Sequence, residues 1–163
     1  MKLREELHIN KPMEPGQEIM LAILLTREYV ARLSDDRLFK PARITDQQFN
    51  VLRILKGGPP DGYLIREIRN RMIAHSADVP RLVERMARAG LVARREDPAD
   101  RRGSLVSLTP EGEALEARLA PVHASLCQEV AAVLQDWESK ALLGLLQQLR
   151  DGIVARLAPE AGS

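Results

Sequence analysis

Arginine is concentrated in the middle of the chain. Residues 66–102 contain ten Arg or Lys side chains, all of them Arg, against six Asp or Glu, whereas residues 110–163 contain four basic against eight acidic side chains. The total of 24 basic and 23 acidic residues is nearly neutral, but the net charge is positive in the middle of the chain and negative toward its end. Because the guanidinium group makes forked contacts with phosphate and guanine, this middle segment is typical of a nucleic-acid contact.

One predicted helix separates these arginines from apolar side chains. The apolar residues at the helical spacing i, i+3, i+4 and i+7 are Val79, Leu82, Val83 and Met86. Arg81, Arg85 and Arg88 fall elsewhere on the helix, and Gly90 ends it as a C′ glycine. The alternative is an ordinary solvated surface, since exposed helices commonly carry arginine and Glu84 is also present.

A hairpin is predicted directly after this helix. Two short β-type runs, 91–95 and 104–109, flank a segment with the Pro, Asp and Gly of a turn. Its tip carries Arg101 and Arg102. A charged turn would explain this pair, but two arginines at a hairpin tip behind a basic helix favour contact with DNA.

The elements before the basic helix are also predicted to be helical. Residues 17–38 carry apolar side chains on a broad stripe, which indicates a helix buried on more than one side. Residues 44–55 begin with Thr45 as N-cap and Gln48 three positions later, which is the pattern of a capping box. Residues 63–72 predict a brief helix, led by one or two residues of strand. The side chains of the second helix expected to face inward are Phe49, Leu52 and Leu55.

Two helices are predicted at the end of the chain. Apolar residues repeat at steps of three and four from Pro110 onward, and Pro121 is expected to kink that helix. The last helix runs from Trp137 to Leu157.

The order of short helix, turn, basic helix and charged hairpin is typical of a winged helix-turn-helix. A helix fits the major groove, while a narrow hairpin tip reaches the minor groove or the phosphates. Asp78 is predicted as the N-cap of the basic helix, and Pro80 is then tolerated because the first turn needs no N–H donor.

The segment RLVERMARAGLVARREDPADRRGSLVSLTPEGEAL (81–115) resembles the MarR (multiple antibiotic resistance regulator) family. Its wing carries the family's Asp-x-Arg element as Asp100 and Arg102. The apolar-x-Leu-Thr-x-x-Gly segment follows as Val106, Leu108, Thr109 and Gly112. The resemblance implies that Asp100 and Arg102 pair within the wing, which leaves Arg101 for the groove.

The resemblance implies a mostly α fold with a small β-hairpin wing, in one domain over 1–163. A winged helix-turn-helix lobe is expected at 44–109, and a helical dimerisation region at 14–38 and 110–158. The expected function is that of a homodimer on double-stranded DNA. This dimer is expected to repress transcription from a pseudo-palindromic operator and to be released from it by a small aromatic or phenolic effector.

The site predictions follow from the same resemblance and from the basic helix. Tyr29 and Arg32 are expected to line an effector pocket, and Trp137 is a further candidate, although core packing is favoured for both rings. The residues expected to contact DNA are His75, Ser76, Ala77, Arg81, Arg85, Arg101 and Arg102.

Other classes of function have little support in the sequence. The single cysteine, Cys127, is expected to be a small core hydrophobe rather than a redox sensor. The three histidines lack metal-ligand spacing, so neither a metal nor a cofactor is expected. No nucleophile and base pair suggests an enzyme, and no apolar run suggests a membrane span or secretory signal, so we expect a cytoplasmic protein. The remaining alternative is a winged-helix protein-interaction module that does not bind DNA.

Overall fold

The fold is known from a computed structural model that describes residues 3–74, 78–97 and 103–157. Contacts divide the chain into two compact units, one that ends at His123 and one that begins at Ala124.

The first unit begins with helices that carry few buried side chains. Helix α1 spans Leu3–Glu6 and helix α2 spans Pro15–Ser34. The chain continues as a π-helical turn, Asp35–Phe39, and a short helix α3, Lys40–Ala42. The predicted helix over 17–38 therefore exists, but it changes to wider π-helical winding over its last turn. The expected burial on more than one side is wrong for the single chain, because no residue of α2 is buried.

Helix α4, Asp46–Lys56, begins at the predicted capping box. The Gln48 amide donates to the Thr45 hydroxyl at 3.2 Å, and the Thr45 amide donates to the Gln48 side-chain oxygen at 2.9 Å. These two bonds satisfy amides that the first helical turn leaves without partners. The helix ends at Gly57, as the glycine and proline run after it indicates.

The helix-turn-helix segment follows the predicted order. Strand β1, Tyr63–Leu64, leads directly into helix α5, Ile65–Arg71, and helix α6 spans Val79–Arg88. Gly90 closes α6 with a φ of 72°, a left-handed conformation that glycine adopts without the clash a Cβ would cause.

Strands β2, Val92–Glu96, and β3, Ser104–Leu108, form the predicted hairpin. The sheet has the order β1-β3-β2, and both pairings are antiparallel. Val106 lies opposite Tyr63 on one side and Arg94 on the other. The hairpin is therefore attached to the helices through its inner strand.

One apolar core holds these elements together. It is formed by α4, α5, α6 and the sheet, so the two helices of the helix-turn-helix share their buried faces with the base of the wing. Burial of such side chains is the main stabilising term in folding. Its members are Val51, Leu52, Leu55, Ile68, Met72, Val79, Leu82, Val83, Met86, Val92 and Val106.

The last two helices are α7, Pro110–Ala131, and α8, Asp136–Leu157. Helix α7 continues through Pro121 and across the boundary between the two units. The second unit contains the end of α7 and the whole of α8, and no residue of α8 is buried. Among the helices described, none is long and apolar enough to cross a membrane.

Candidate DNA-binding surface

Asp78 is the N-cap of helix α6, as predicted. The Asp78 carboxylate accepts from the Arg81 amide at 3.3 Å, and Pro80 occupies the second helical position. Because an amide at that position has no acceptor within the helix, the proline costs no hydrogen bond there. The unusual helix entry is therefore compatible with a regular α6.

The two faces of α6 differ as the sequence indicates. The four apolar side chains are buried in the core, and the arginines lie on the exposed side. Packing of the apolar face fixes the rotation of α6, since a turn of the helix about its axis would expose these side chains. The exposed arginines are Arg81, Arg85 and Arg88.

These arginines differ in their local partners. The Arg81 Nε lies 3.3 Å from the Asp78 carboxylate, and Arg88 forms an ion pair with Glu84 one turn away. Arg85 has no ion pair or hydrogen bond from its side chain to any residue that the structure describes. Arg85 is therefore the cation of α6 best able to accept an outside anion without losing an internal contact.

Helix α5 adds two cations that were not among the predicted DNA contacts. Arg66 and Arg69 are exposed, three positions apart and therefore neighbours on the surface of α5. Arg71, by contrast, lies 4.2 Å from the centre of the Tyr63 ring and donates to the Glu67 carbonyl oxygen. The spacing of Arg66 and Arg69 on the polar side of a helix-turn-helix element was the signal that could have identified them.

The described part of the wing carries two further arginines with distinct contacts. The Arg94 Nε donates to the Ser104 hydroxyl at 3.2 Å, across the hairpin. The Arg95 Nη2 donates to the Asp61 carboxylate at 2.5 Å. Both arginines of β2 are thus held within the lobe.

Several predicted DNA contacts lie outside the described residues. They belong to the turn before α6 and to the tip of the wing, so their positions stay predictions. The predicted residues concerned are His75, Ser76, Ala77, Asp100, Arg101 and Arg102.

Thr109 connects the end of α6 to the start of α7. Its hydroxyl donates to the Gly90 carbonyl oxygen at 2.5 Å and accepts from the Gly112 amide at 3.1 Å. Its own amide donates to the Leu91 carbonyl oxygen at 3.2 Å. The Leu-Thr-x-x-Gly element therefore has a structural role, because it caps α7 and attaches that helix to the end of α6.

The structure places the predicted effector residues on the surface of α2. Tyr29 and Arg32 are both exposed, and the Tyr29 hydroxyl donates to the Glu6 carboxylate. That hydrogen bond, with the negative charge of Glu6, raises the pKa of Tyr29 above its ordinary value.

Two cavities of the first unit lie elsewhere, and neither is lined by Tyr29 or Arg32. An open cleft of about 900 Å³ lies along the N-terminal segment and Glu18. A smaller cavity of about 270 Å³ lies between the 57–62 turn, β3 and the first turn of α7. The predicted effector pocket at Tyr29 and Arg32 therefore stays a prediction.

Two expectations of burial are wrong for the single chain. Cys127 is exposed, because it lies one residue beyond the buried Leu126 and therefore about 100° around α7. Trp137 is also exposed, and its indole N–H donates to the Gln135 side chain at 2.9 Å. Within the described ranges, no group of three or more His, Cys, Asp or Glu residues could hold a metal ion.

The sequence and the fold are similar to those of known proteins. Residues 44–103, from two residues before α4 to the residue before β3, match the MarR family. The transcriptional regulator HosA of Escherichia coli O111:H- is 29% identical over 106 residues, which cover 65% of this chain and 77% of HosA.

Solved structures show the same architecture. BpsR of Bordetella bronchiseptica, whose DNA binding is regulated by 6-hydroxynicotinic acid, is 25% identical and superposes with a TM-score of 0.75. The match covers 86% of this chain and 99% of BpsR. Sco3205, a MarR family regulator of Streptomyces coelicolor solved with DNA, is 21% identical with a TM-score of 0.76, covering 88% of this chain and 94% of its own. With a basic α6, a wing and the Thr109–Gly112 connection in place, the chain resembles the DNA-binding transcription regulators of the MarR family, and the family match lies in its winged-helix lobe.

Proposed function

We propose that the protein is a homodimeric repressor that binds a pseudo-palindromic operator and is released by a small aromatic acid. The observation that carries the DNA-binding part is α6, whose apolar face is buried while Arg85 is exposed with no ion pair among the described residues. Inserted in the major groove, this helix presents Arg85 to phosphate or guanine.

The neighbouring elements supply contacts that fix the position of α6 on the duplex. Arg66 and Arg69 of α5 are suited to the phosphates beside the major groove, which position a protein without reading sequence. We assign base or groove contacts to the turn before α6 and to Arg101 at the wing tip, as the sequence indicates. Together these contacts span two grooves.

The dimer is supported by apolar side chains that the single chain leaves exposed. Helix α8 exposes a stripe at i, i+3, i+4, i+7 and i+11, and Leu145 within it is 64% exposed. Helix α2 exposes Ile19, Met20 and Leu24. Soluble monomers rarely leave so many large apolar side chains uncovered on one helix. The stripe of α8 consists of Leu142, Leu145, Leu146, Leu149 and Ile153.

Release by an effector is supported by the comparison with BpsR and by the chemistry of α2. Arg32 is a partner for a carboxylate, and Tyr29 offers a ring and a hydroxyl one turn away. A ligand that prefers a dimer with altered spacing of its two α6 helices would lower the affinity for the operator. We therefore propose aromatic carboxylic acids as the class to test.

Selection of bound duplexes from a random DNA library tests the proposed function. The expected result is an inverted repeat with half-sites about one helical turn apart, bound by a species that sediments as a dimer. Addition of 6-hydroxynicotinic acid or benzoic acid at millimolar concentration should release the selected duplex. Recovery of no preferred sequence, with binding no tighter than to random DNA, would instead support the protein-interaction module.

A further inference from the structure

Arg95 and Asp61 join two parts of the winged-helix lobe that lie 34 residues apart. The Arg95 Nη2 lies 2.5 Å from the Asp61 Oδ1 and 3.2 Å from the main-chain oxygen of the same residue. Both side chains are exposed. A guanidinium group that donates to both the carboxylate and the main-chain oxygen of one residue has fewer allowed positions than one that forms a single surface ion pair.

The turn that carries Asp61 is itself fixed against β3. Gly62 has a φ of 84°, and its amide donates to the Pro59 carbonyl oxygen at 2.9 Å. A Cβ at Gly62 would lie 1.9 Å from the Val106 carbonyl oxygen, so the turn lies directly on the β3 backbone. Asp61 is therefore an anchored acceptor and not the end of a loose loop.

The position of Arg95 in the hairpin allows this contact to restrain the hairpin. Arg95 pairs with Leu105, one residue before the last pair of the hairpin, Glu96 with Ser104. Strand β2 is bonded only to β3 among the described strands, and β1 lies on the other side of β3. Leu105 also pairs with Leu64, so the Arg95 row is the last three-stranded row and the hairpin continues beyond it as two strands. Two-stranded ribbons twist more than wider sheets, so a bond from β2 to the turn before β1 at this row restrains the direction of the hairpin.

We propose that Asp61 and Arg95 are a positioning pair that fixes the direction of the wing for DNA binding. This inference rests on the proposed function and adds residues that make no contact with DNA themselves. The guanidinium of Arg95 is already bound to Asp61, so a phosphate contact would require the loss of that ion pair. Exposed ion pairs contribute little to folding stability, so the pair acts through the orientation of the hairpin.

The test compares Asp61→Asn, Arg95→Gln and the double variant with the full-length protein. On the selected duplex, each single variant should weaken binding by roughly five- to thirtyfold, the size of one lost wing contact. The double variant should bind no more weakly than the weaker single variant, because both changes remove the same restraint. The salt dependence of binding should stay that of the wild type, since no phosphate contact is lost.

Two further measurements separate orientation from folding. The melting temperature should change by at most about 3 °C, whereas amide hydrogen exchange in β2 should rise in Asp61→Asn without DNA present. The matched control is Asp36→Asn, which removes the exposed pair with Lys40 at a distance of 2.6 Å outside the sheet. It should leave DNA affinity and exchange in β2 unchanged.

Several results would contradict the proposal that Asp61 and Arg95 fix the direction of the wing. Tighter binding by Asp61→Asn, together with a shallower salt dependence in Arg95→Gln, would show that Arg95 contacts phosphate directly. Unchanged affinity, unchanged exchange in β2 or a large fall in melting temperature would also contradict it. A wild-type protein that prefers no duplex would instead overturn the proposed function, while hydrogen exchange still tests the pair.

Discussion

Gly112 lies so close to Leu91 that a Cβ atom on it would come within 2.0 Å of the Leu91 carbonyl oxygen. Leu91 follows the end of α6, and Gly112 lies in the first turn of α7. The same carbonyl oxygen accepts the Thr109 amide. The close approach therefore fixes the start of α7 against the end of α6, and glycine is required there for space.

Gly112→Ala should destabilise the protein by about 1–3 kcal/mol, because the added methyl group meets main-chain atoms that cannot rotate away. Urea denaturation of the full-length protein measures the change. Gly16→Ala is the matched control, since a Cβ at Gly16 meets nothing within 4 Å and the helix gains from the better helix former. Equal stability of the two variants would contradict the proposed fit.

Arg85→Ala should weaken binding to the selected duplex by about 1–3 kcal/mol, the usual range for a lost arginine contact. If the contact is to phosphate, the dependence of log K on log salt should also become shallower by about one unit. Fluorescence anisotropy across a salt series gives both values.

Arg88→Ala is the comparison for this experiment. Arg88 lies on the same helix but is paired with Glu84, so its removal should cost less DNA affinity than the removal of Arg85. The assignment of Arg85 fails if the two substitutions weaken binding equally, or if Arg88→Ala has the larger effect.

His123 makes folding stability depend on pH. Its ring packs 5.3 Å from the centre of the Phe49 ring, and its Nε2 lies 3.4 Å from the Arg53 guanidinium. Partial burial, and then the positive charge of Arg53, lower the pKa of His123 from its ordinary 6.5. Since the folded state binds the proton less well than the unfolded state, stability is complete above pH 6.5 and falls as the pH drops below it.

His123→Gln should remove that part of the pH dependence. The free energy of unfolding is measured at pH 7.5 and at pH 5.5. Between these two values the wild type should lose on the order of 0.5 kcal/mol or less of stability, because solvent screens the charge of a partly exposed ring. His8→Gln, in the exposed N-terminal segment, is the control and should keep the wild-type difference. A His123 variant that loses as much stability as the wild type would show that the ring is not responsible.

Local patterns in the sequence predicted most of the lobe. The Thr45–Gln48 capping box, the apolar face of α6 and the closing glycine each depend on residues within one or two turns of one another. Short-range hydrogen bonding and periodic burial determine such features, so they can be read without knowledge of the fold. Asp78 as the N-cap of α6 belongs to the same class.

Contacts between distant residues could not be predicted in this way. Asp61 and Arg95 are 34 positions apart, and Tyr29 and Glu6 are 23 apart. No local pattern indicates that either pair will meet. Cys127 shows a related limit, since the apolar repeat of α7 identifies a stripe but does not say which flanking residues are covered.

The last prediction concerns α8, whose apolar stripe we assign to the dimer interface. Leu145→Glu should give a folded monomer or a weakened dimer, because a carboxylate buried in an apolar interface costs several kcal/mol and the two-fold dimer carries it twice. We expect the dimer to weaken by roughly a hundredfold or more, with loss of tight operator binding. Sedimentation velocity at micromolar concentration measures the association.

Leu145→Met is the matched control, because it keeps an apolar side chain of similar volume and should preserve the dimer and its DNA affinity. Circular dichroism should show that both variants remain helical, since Leu145 is largely exposed in the single chain and contributes little to its core. Removal of residues 137–163 should have the same effect as Leu145→Glu on association and operator binding. If Leu145→Glu sediments as a dimer and binds the palindrome with wild-type affinity, the interface must lie elsewhere. A charged side chain buried in an apolar interface would weaken the association of the dimer.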